Sequence, residues 1–169
     1  MNLSSCYTRT GRYEEAHEIL DKTEKFQPVD LDLNYNRALT YEGQKKTEKA
    51  IDAYKKCLRI NRVHFDSWVR VALMYRQKSD FTTAIEIYQH ILTLYPNHPD
   101  INIEIATTIF ESGDHGEAEK KLTKMLENDP ENLKIKKSLA RIYHALGRKE
   151  EANDLQTDVE GSIIFSSKE

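Results

Sequence analysis

The sequence is short of nearly everything that marks an enzyme, a membrane protein or a secreted scaffold. Its 169 residues hold only two cysteines, Cys6 and Cys57. That excludes a disulfide framework and predicts free thiols in a reducing compartment, so a cytoplasmic setting is expected. Six glycines and four prolines are too few for the many turns of an all-β design. No apolar run approaches the roughly 20 residues of a membrane span, and direct membrane insertion is not expected. The opening residues lack the basic and apolar regions of a signal peptide. Neither sign of charge dominates: 25 Lys and Arg stand against 28 Asp and Glu, a net charge of −3, so no global field draws the chain onto nucleic acid.

Catalytic chemistry finds no foothold either. The six histidines, His17, His64, His90, His98, His115 and His144, include no pair at i, i+4 and no His-Glu-x-x-His. Gly113 and Gly116 flank a helical-hairpin turn and not a strand-to-helix phosphate loop. Cys57 reads as a small buried apolar group. No catalytic residue, no metal ligand set and no cofactor is expected.

What the sequence does have is periodicity. Alanines stand at 16, 50, 84, 118 and 152, separated by one constant interval. A second ladder with the same interval runs through Ala38, Ala72, Ala106 and Ala140, and a third through Tyr7, Tyr41, Tyr75, Ile109 and Tyr143. Pro28, Pro96 and Pro130 share one phase, with Arg62 at the skipped step. Within each period apolar residues recur at helical spacing, as in Trp68, Val71, Ala72, Tyr75 and then Ile85, Tyr88, Leu92. Each unit is therefore expected to fold as two amphipathic helices, broken at Gly11, Ser79-Asp80, Gly113-Asp114 or Gly147. Alanine at both contact points lets the paired helices approach closely.

These residues resemble the tetratricopeptide repeat, a helix–turn–helix motif with the same period. Unit 65–98 is nearest to the family pattern, with Trp68, Ala72, Tyr75, Phe81, Ala84, Tyr88 and Pro96 in place. Cys57, Ile91 and Met125 depart from it where the family has a small residue. The resemblance implies an all-α, right-handed superhelical solenoid of antiparallel helix hairpins. In its register residues 1–30 are a partial N-terminal unit, 31–64, 65–98 and 99–132 are complete repeats, 133–160 is a capping unit, and 161–169 is a tail in which Gly161 breaks the helix. The partial first unit suggests a segment of a longer array, near that array's C-terminal end.

The resemblance also implies a ligand surface. In this family the first helix of each unit lines the concave side. The registers that face it give an apolar stripe of Tyr35, Leu39, Val69, Leu73, Ile103 and Phe110. Asn36 and Arg70 flank the stripe. Beyond it residues 133–149 hold six Lys or Arg and no Asp or Glu, three of which, Lys134, Lys137 and Arg141, project toward the groove. The stripe reads either as packing between first helices or as anchor pockets for a partner's peptide or helix. In the second reading Asn36 bonds the ligand backbone and Arg70 meets an acidic side chain. The basic residues either pair with Asp100, Glu104 and Glu111 or capture a carboxylate. The carboxylate clamp that some members use on chaperone tails is absent as a set, since in its best frame only Asn36 and Arg70 match.

The function expected is thus a protein–protein interaction scaffold or adaptor. The alternative is a structural spacer that self-associates through an exposed N-terminal repeat end.

Overall fold

A computed structural model of the chain describes residues 3–96 and 98–166, with side chains through residue 157. Among the described residues all regular structure is helical, in ten helices: α1 (Leu3–Arg9), α2 (Tyr13–Phe26), α3 (Leu31–Gly43), α4 (Thr47–Ile60), α5 (Phe65–Gln77), α6 (Phe81–Leu94), α7 (Pro99–Glu111), α8 (His115–Asn128), α9 (Leu133–Ala145) and α10 (Lys149–Ser166). The chain divides between Leu94 and Tyr95 into two compact units. In the first, α1–α2, α3–α4 and α5–α6 are hairpins, and α3 and α5 each lie between two second helices. In the second, α7–α8 and α9–α10 are hairpins, with α9 packed against both α7 and α8.

The alanine ladders form the seams of these hairpins. Ala16, Ala38, Ala50, Ala72, Ala84, Ala106 and Ala118 are all 0% exposed. Ala140 and Ala152 are equally buried. A larger side chain at any of them would overpack the contact, at a cost of about 1–3 kcal/mol. Around the seams the first unit buries Tyr54, Ile51, Val71 and Met74 in one cluster. Cys57 is also buried, its Sγ 3.5 Å from the Ala53 carbonyl, and burial pushes its thiol pKa up.

The turn between paired helices is the same structure five times over. Gly11, Lys45, Ser79, Gly113 and Gly147 all have positive φ. The next residue in each case donates its amide back to the tyrosine-ladder position: Arg12 to Tyr7 O, Lys46 to Tyr41 O, Asp80 to Tyr75 O, Asp114 to Ile109 O and Arg148 to Tyr143 O. This six-to-one closure satisfies a helix-end carbonyl that would otherwise be orphaned. Glycine marks three of the turns in the sequence, and Ser79 a fourth. The fifth, at Lys45, is a break that residue type does not announce.

Side-chain caps start most of the first helices. Asp30 Oδ1 accepts from the Leu33 amide at 2.6 Å, His64 Nδ1 from Ser67 at 3.3 Å, and Asn132 Oδ1 from Ile135 at 3.2 Å. The tyrosines of the third ladder are only half-buried and meet cations: Arg12 stands 4.5 Å from the Tyr7 centroid and Arg148 4.2 Å from that of Tyr143.

One expectation at the C-terminal end is corrected. Gly161 does not break the helix, because α10 runs through it to Ser166. A lone glycine costs a helix about 1 kcal/mol relative to alanine, and no proline follows Lys149 to remove a backbone donor. Gln156 and Thr157 on α10 are not buried, as their polarity predicts. The side chains of Asp158 and of the apolar patch Ile163, Ile164 and Phe165 lie outside the described residues.

Candidate partner-binding surfaces

In the first unit, the side chains expected to meet a ligand are largely engaged with one another. Glu42, near the end of α3, is their centre. Its Oε2 accepts from the Tyr54 hydroxyl at 2.6 Å, and its Oε1 accepts from Arg70 Nη1 at 3.0 Å. Tyr35 stands edge-on to Tyr54 with 5.5 Å between centroids, and its hydroxyl lies beside the Arg70 guanidinium. Burial lifts the Tyr54 pKa well above that of a free phenol, and the bond to Glu42 lifts it further. Tyr35 is raised too, by burial first. For Arg70, partial burial is the largest single influence and works against the charge, but Glu42, Tyr54 and Tyr35 together outweigh it and the pKa is raised.

Arg70, expected to meet a ligand's acidic side chain, already has a carboxylate partner in the chain's own Glu42, presented by the first helix of the preceding hairpin. Asn36 likewise turns its amide onto the Asp32 carbonyl of its own helix, at 2.7 Å. Leu39 and Leu73 pack against the buried cluster while remaining partly accessible, and Val69 is half-buried. Asn36, Leu39, Glu42 and Gly43 still line a cavity of about 310 Å³ with Thr8 and Arg9 of α1. Its edge at Gly43 is shaped by a residue the sequence did not single out. The Tyr13 hydroxyl donates to the Gly43 carbonyl at 2.9 Å. The ring lies so close that a Cβ on residue 43 would meet Tyr13 Cε1 at 2.7 Å.

In the second unit the outcome is mixed. Ile103 is only 7% exposed, which places it with the packing reading of the stripe. Phe110 is half-buried, its ring 4.6 Å from that of His115. It lines a cavity of about 340 Å³ together with Thr107, Glu111, Ser138, Arg141 and His144. Lys134 takes the pairing reading, with its Nζ 2.6 Å from Asp100 Oδ2 in an exposed ion pair. Lys137 and Arg141 are exposed, and neither has an ion-pair partner among the described residues.

Of the other basic residues of 133–149, Lys149 is exposed and two are held by the fold. Lys136 is buried, and Arg148 is bonded to Glu119 and Glu151, which raise its pKa while it lowers that of Glu151. The histidines are mostly absorbed by packing: His17 against Tyr41, His90 against Trp68, and His64 as a helix cap. Among the described residues no three His, Cys, Asp or Glu side chains converge as a metal site would require. No described helix is long and apolar enough to cross a membrane.

Models of the tetratricopeptide repeat match residues 32–62 and 65–98, which are the α3–α4 and α5–α6 hairpins, and residues 109–155, which run from the end of α7 through α8 and α9 into α10. The chain belongs to the tetratricopeptide repeat family.

Among curated relatives, BBSome complex member BBS4 from Bos taurus is 25% identical over 124 residues, covering 73% of this chain and 24% of that protein. Cellulose synthase operon protein C from Pseudomonas fluorescens is 32% identical over 85 residues, covering 50% of this chain and 7% of that protein. The chain thus spans a quarter or less of the curated relatives it matches. Among solved structures, a tetratricopeptide repeat protein from Parabacteroides merdae superposes with a TM-score of 0.78 at 21% identity, over 96% of this chain and 62% of that one. MamA from Desulfovibrio magneticus gives 0.72 at 17% identity, over 95% and 90%. At such identities the likeness is one of fold, the tetratricopeptide solenoid.

Proposed function

We propose that this tetratricopeptide chain is a protein-interaction scaffold that holds an acidic, partly apolar segment of a partner on its first-helix face. The observation that carries the reading is the cavity beside Phe110. It joins a half-buried aromatic wall to Arg141, a cation with no ion-pair partner among the described residues. A bulky side chain docked on Phe110 would bring a neighbouring carboxylate within reach of Arg141 and Lys137. The separate cavity of the first unit, at Asn36 and Leu39, offers a second contact. The Tyr35, Glu42 and Arg70 set holds the wall in shape and does not read the ligand. A cytoplasmic setting suits the two free thiols.

The test is peptide display on the full chain. Selected peptides should combine a bulky apolar residue with Asp or Glu, and should lose at least tenfold in affinity on a Phe110→Ala, Arg141→Glu variant of unchanged melting temperature. Peptides held equally by both proteins would refute the reading.

Self-association is a second reading, favoured by three exposed apolar residues of the first unit: Leu3 at 52%, Phe26 at 85% and Val29 at 78%. Sedimentation velocity over a range of concentrations should then show a dimer that Phe26→Ser, Val29→Ser removes. A monomer at every concentration would refute it.

A further inference from the structure

The first unit also carries a recess away from the first-helix face. It is a groove of about 720 Å³ running between α4 and α6, on the opposite side of α5. Trp68, Val71 and Tyr75 point into it. At 100° per residue they occupy the half of the α5 wheel away from Val69, Arg70 and Leu73. Leu58 from α4, Ile87 and Leu94 from α6, and the exposed Val63 complete an apolar lining. The wall is fixed by the Trp68 indole, which donates to the Arg62 carbonyl at 2.8 Å and stands edge-on to His90 at 4.7 Å.

The rim carries charge of one sign. The charged residues that line the groove are Lys55, Arg59 and Arg62, with no Asp or Glu, in a chain whose net charge is −3. Lys55 reaches the Tyr75 hydroxyl at 3.2 Å. Arg59 and Arg62 are exposed and have no ion-pair partner among the described residues. Recessed apolar surface edged by unpaired cations is complementary to an apolar stripe edged by carboxylates.

The dimensions favour a helix as the occupant. On α6 the lining residues Thr83, Ile87, His90 and Leu94 recur at one face over three turns, which is about 16 Å of helix axis. A groove of that length between two helices accepts about three turns of an amphipathic helix through i, i+3/i+4, i+7 anchors. A flat bilayer surface would not reach the recessed floor.

We infer that the α4–α6 groove is a second docking site, distinct from the first-helix face, for an acidic amphipathic helix. The test uses the full chain and a fluorescein-labelled, three-turn peptide of Leu at the anchor positions and Glu elsewhere. Controls are the same peptide with Lys for Glu and a scrambled Glu peptide, all read by anisotropy. The Glu peptide should bind, weaken as salt rises, and lose at least tenfold on Arg59→Glu, Arg62→Glu, two exposed positions whose change leaves the melting temperature in place. The Lys peptide should prefer that reversed variant to the parent. Phe110→Ala, Arg141→Glu should leave this binding unaltered, which separates it from the first-helix reading.

Absence of binding, equal binding of the Glu and Lys peptides by the parent, or amide shifts mapping to Asn36 or Phe110 would overturn the inference. So would phosphatidylglycerol vesicles sedimenting with the parent and not with the reversed variant while the peptide fails to bind.

Discussion

Replacing Lys45 with glycine should stabilise the protein. Lys45 has φ of 58° and Ser79 of 61°, in the left-handed region, where a side chain costs roughly 1–2 kcal/mol against the same turn built with glycine. Glycine returns about 0.5–1 kcal/mol of that through the greater freedom it gives the unfolded chain. The net gain expected is about 0.5–1 kcal/mol for Lys45→Gly, and the same for Ser79→Gly. The reverse changes isolate the cause. At Gly11, Gly113 and Gly147 an added Cβ would meet nothing within 4 Å, so alanine there introduces backbone strain without a clash. Gly113→Ala should therefore cost about 1 kcal/mol. Urea denaturation of these variants, with slopes unchanged from the parent, measures all of this. If Lys45→Gly is neutral or destabilising while Gly113→Ala is harmless, the left-handed turn is not what closes these hairpins.

Three further outcomes follow from the packing. Glu42→Ala should destabilise by about 1–3 kcal/mol, because it strands the buried Tyr54 hydroxyl. Arg70→Ala should cost only about 0–1 kcal/mol, since that ion pair is half-exposed; thermal denaturation giving the opposite order would contradict the network. Ile103→Ala should cost about 2–5 kcal/mol as a core truncation, and a mutant as stable as the parent would return Ile103 to the surface contacts. In alkali, Tyr54 keeps its proton in the folded state after the unfolded chain, with an ordinary value near 10.0, has lost it. Its contribution to stability is therefore complete below that pH and declines above it. Tyr54→Phe should flatten the fall, as measured by urea titrations at pH 9 and 11.

Much of the fold was written in residue type, because the same constraint recurs at the same place. Where two helices approach closely only a small side chain fits, so Ala50 or Ala84 announces a buried contact directly. Gly113 announces a left-handed turn for a similar reason. Lys45 does not, since the turn tolerates a side chain at modest cost and the sequence then shows nothing. Surface assignments were harder for a different reason. The register of Arg70 and Ile103 says which way each side chain leaves its helix, but not what waits there. For Arg70 it was Glu42, and a Glu and an Arg on the facing registers of successive first helices are a signal that sequence could have offered. The outer groove is hidden because Trp68 and Tyr75 hold family core positions, where residue type reads as packing whether or not a recess lies beside it.

The turns at Lys45 and Ser79 have a bearing on that groove. Its two walls, α4 and α6, each begin just after one of these turns, while both hairpin turns of the second unit are closed by glycine. Both walls thus start from a turn that holds a side chain in the left-handed region, so the strain that Lys45→Gly and Ser79→Gly relieve lies where the groove's walls begin. The substitutions that test the turns therefore also test whether the width of the groove depends on them.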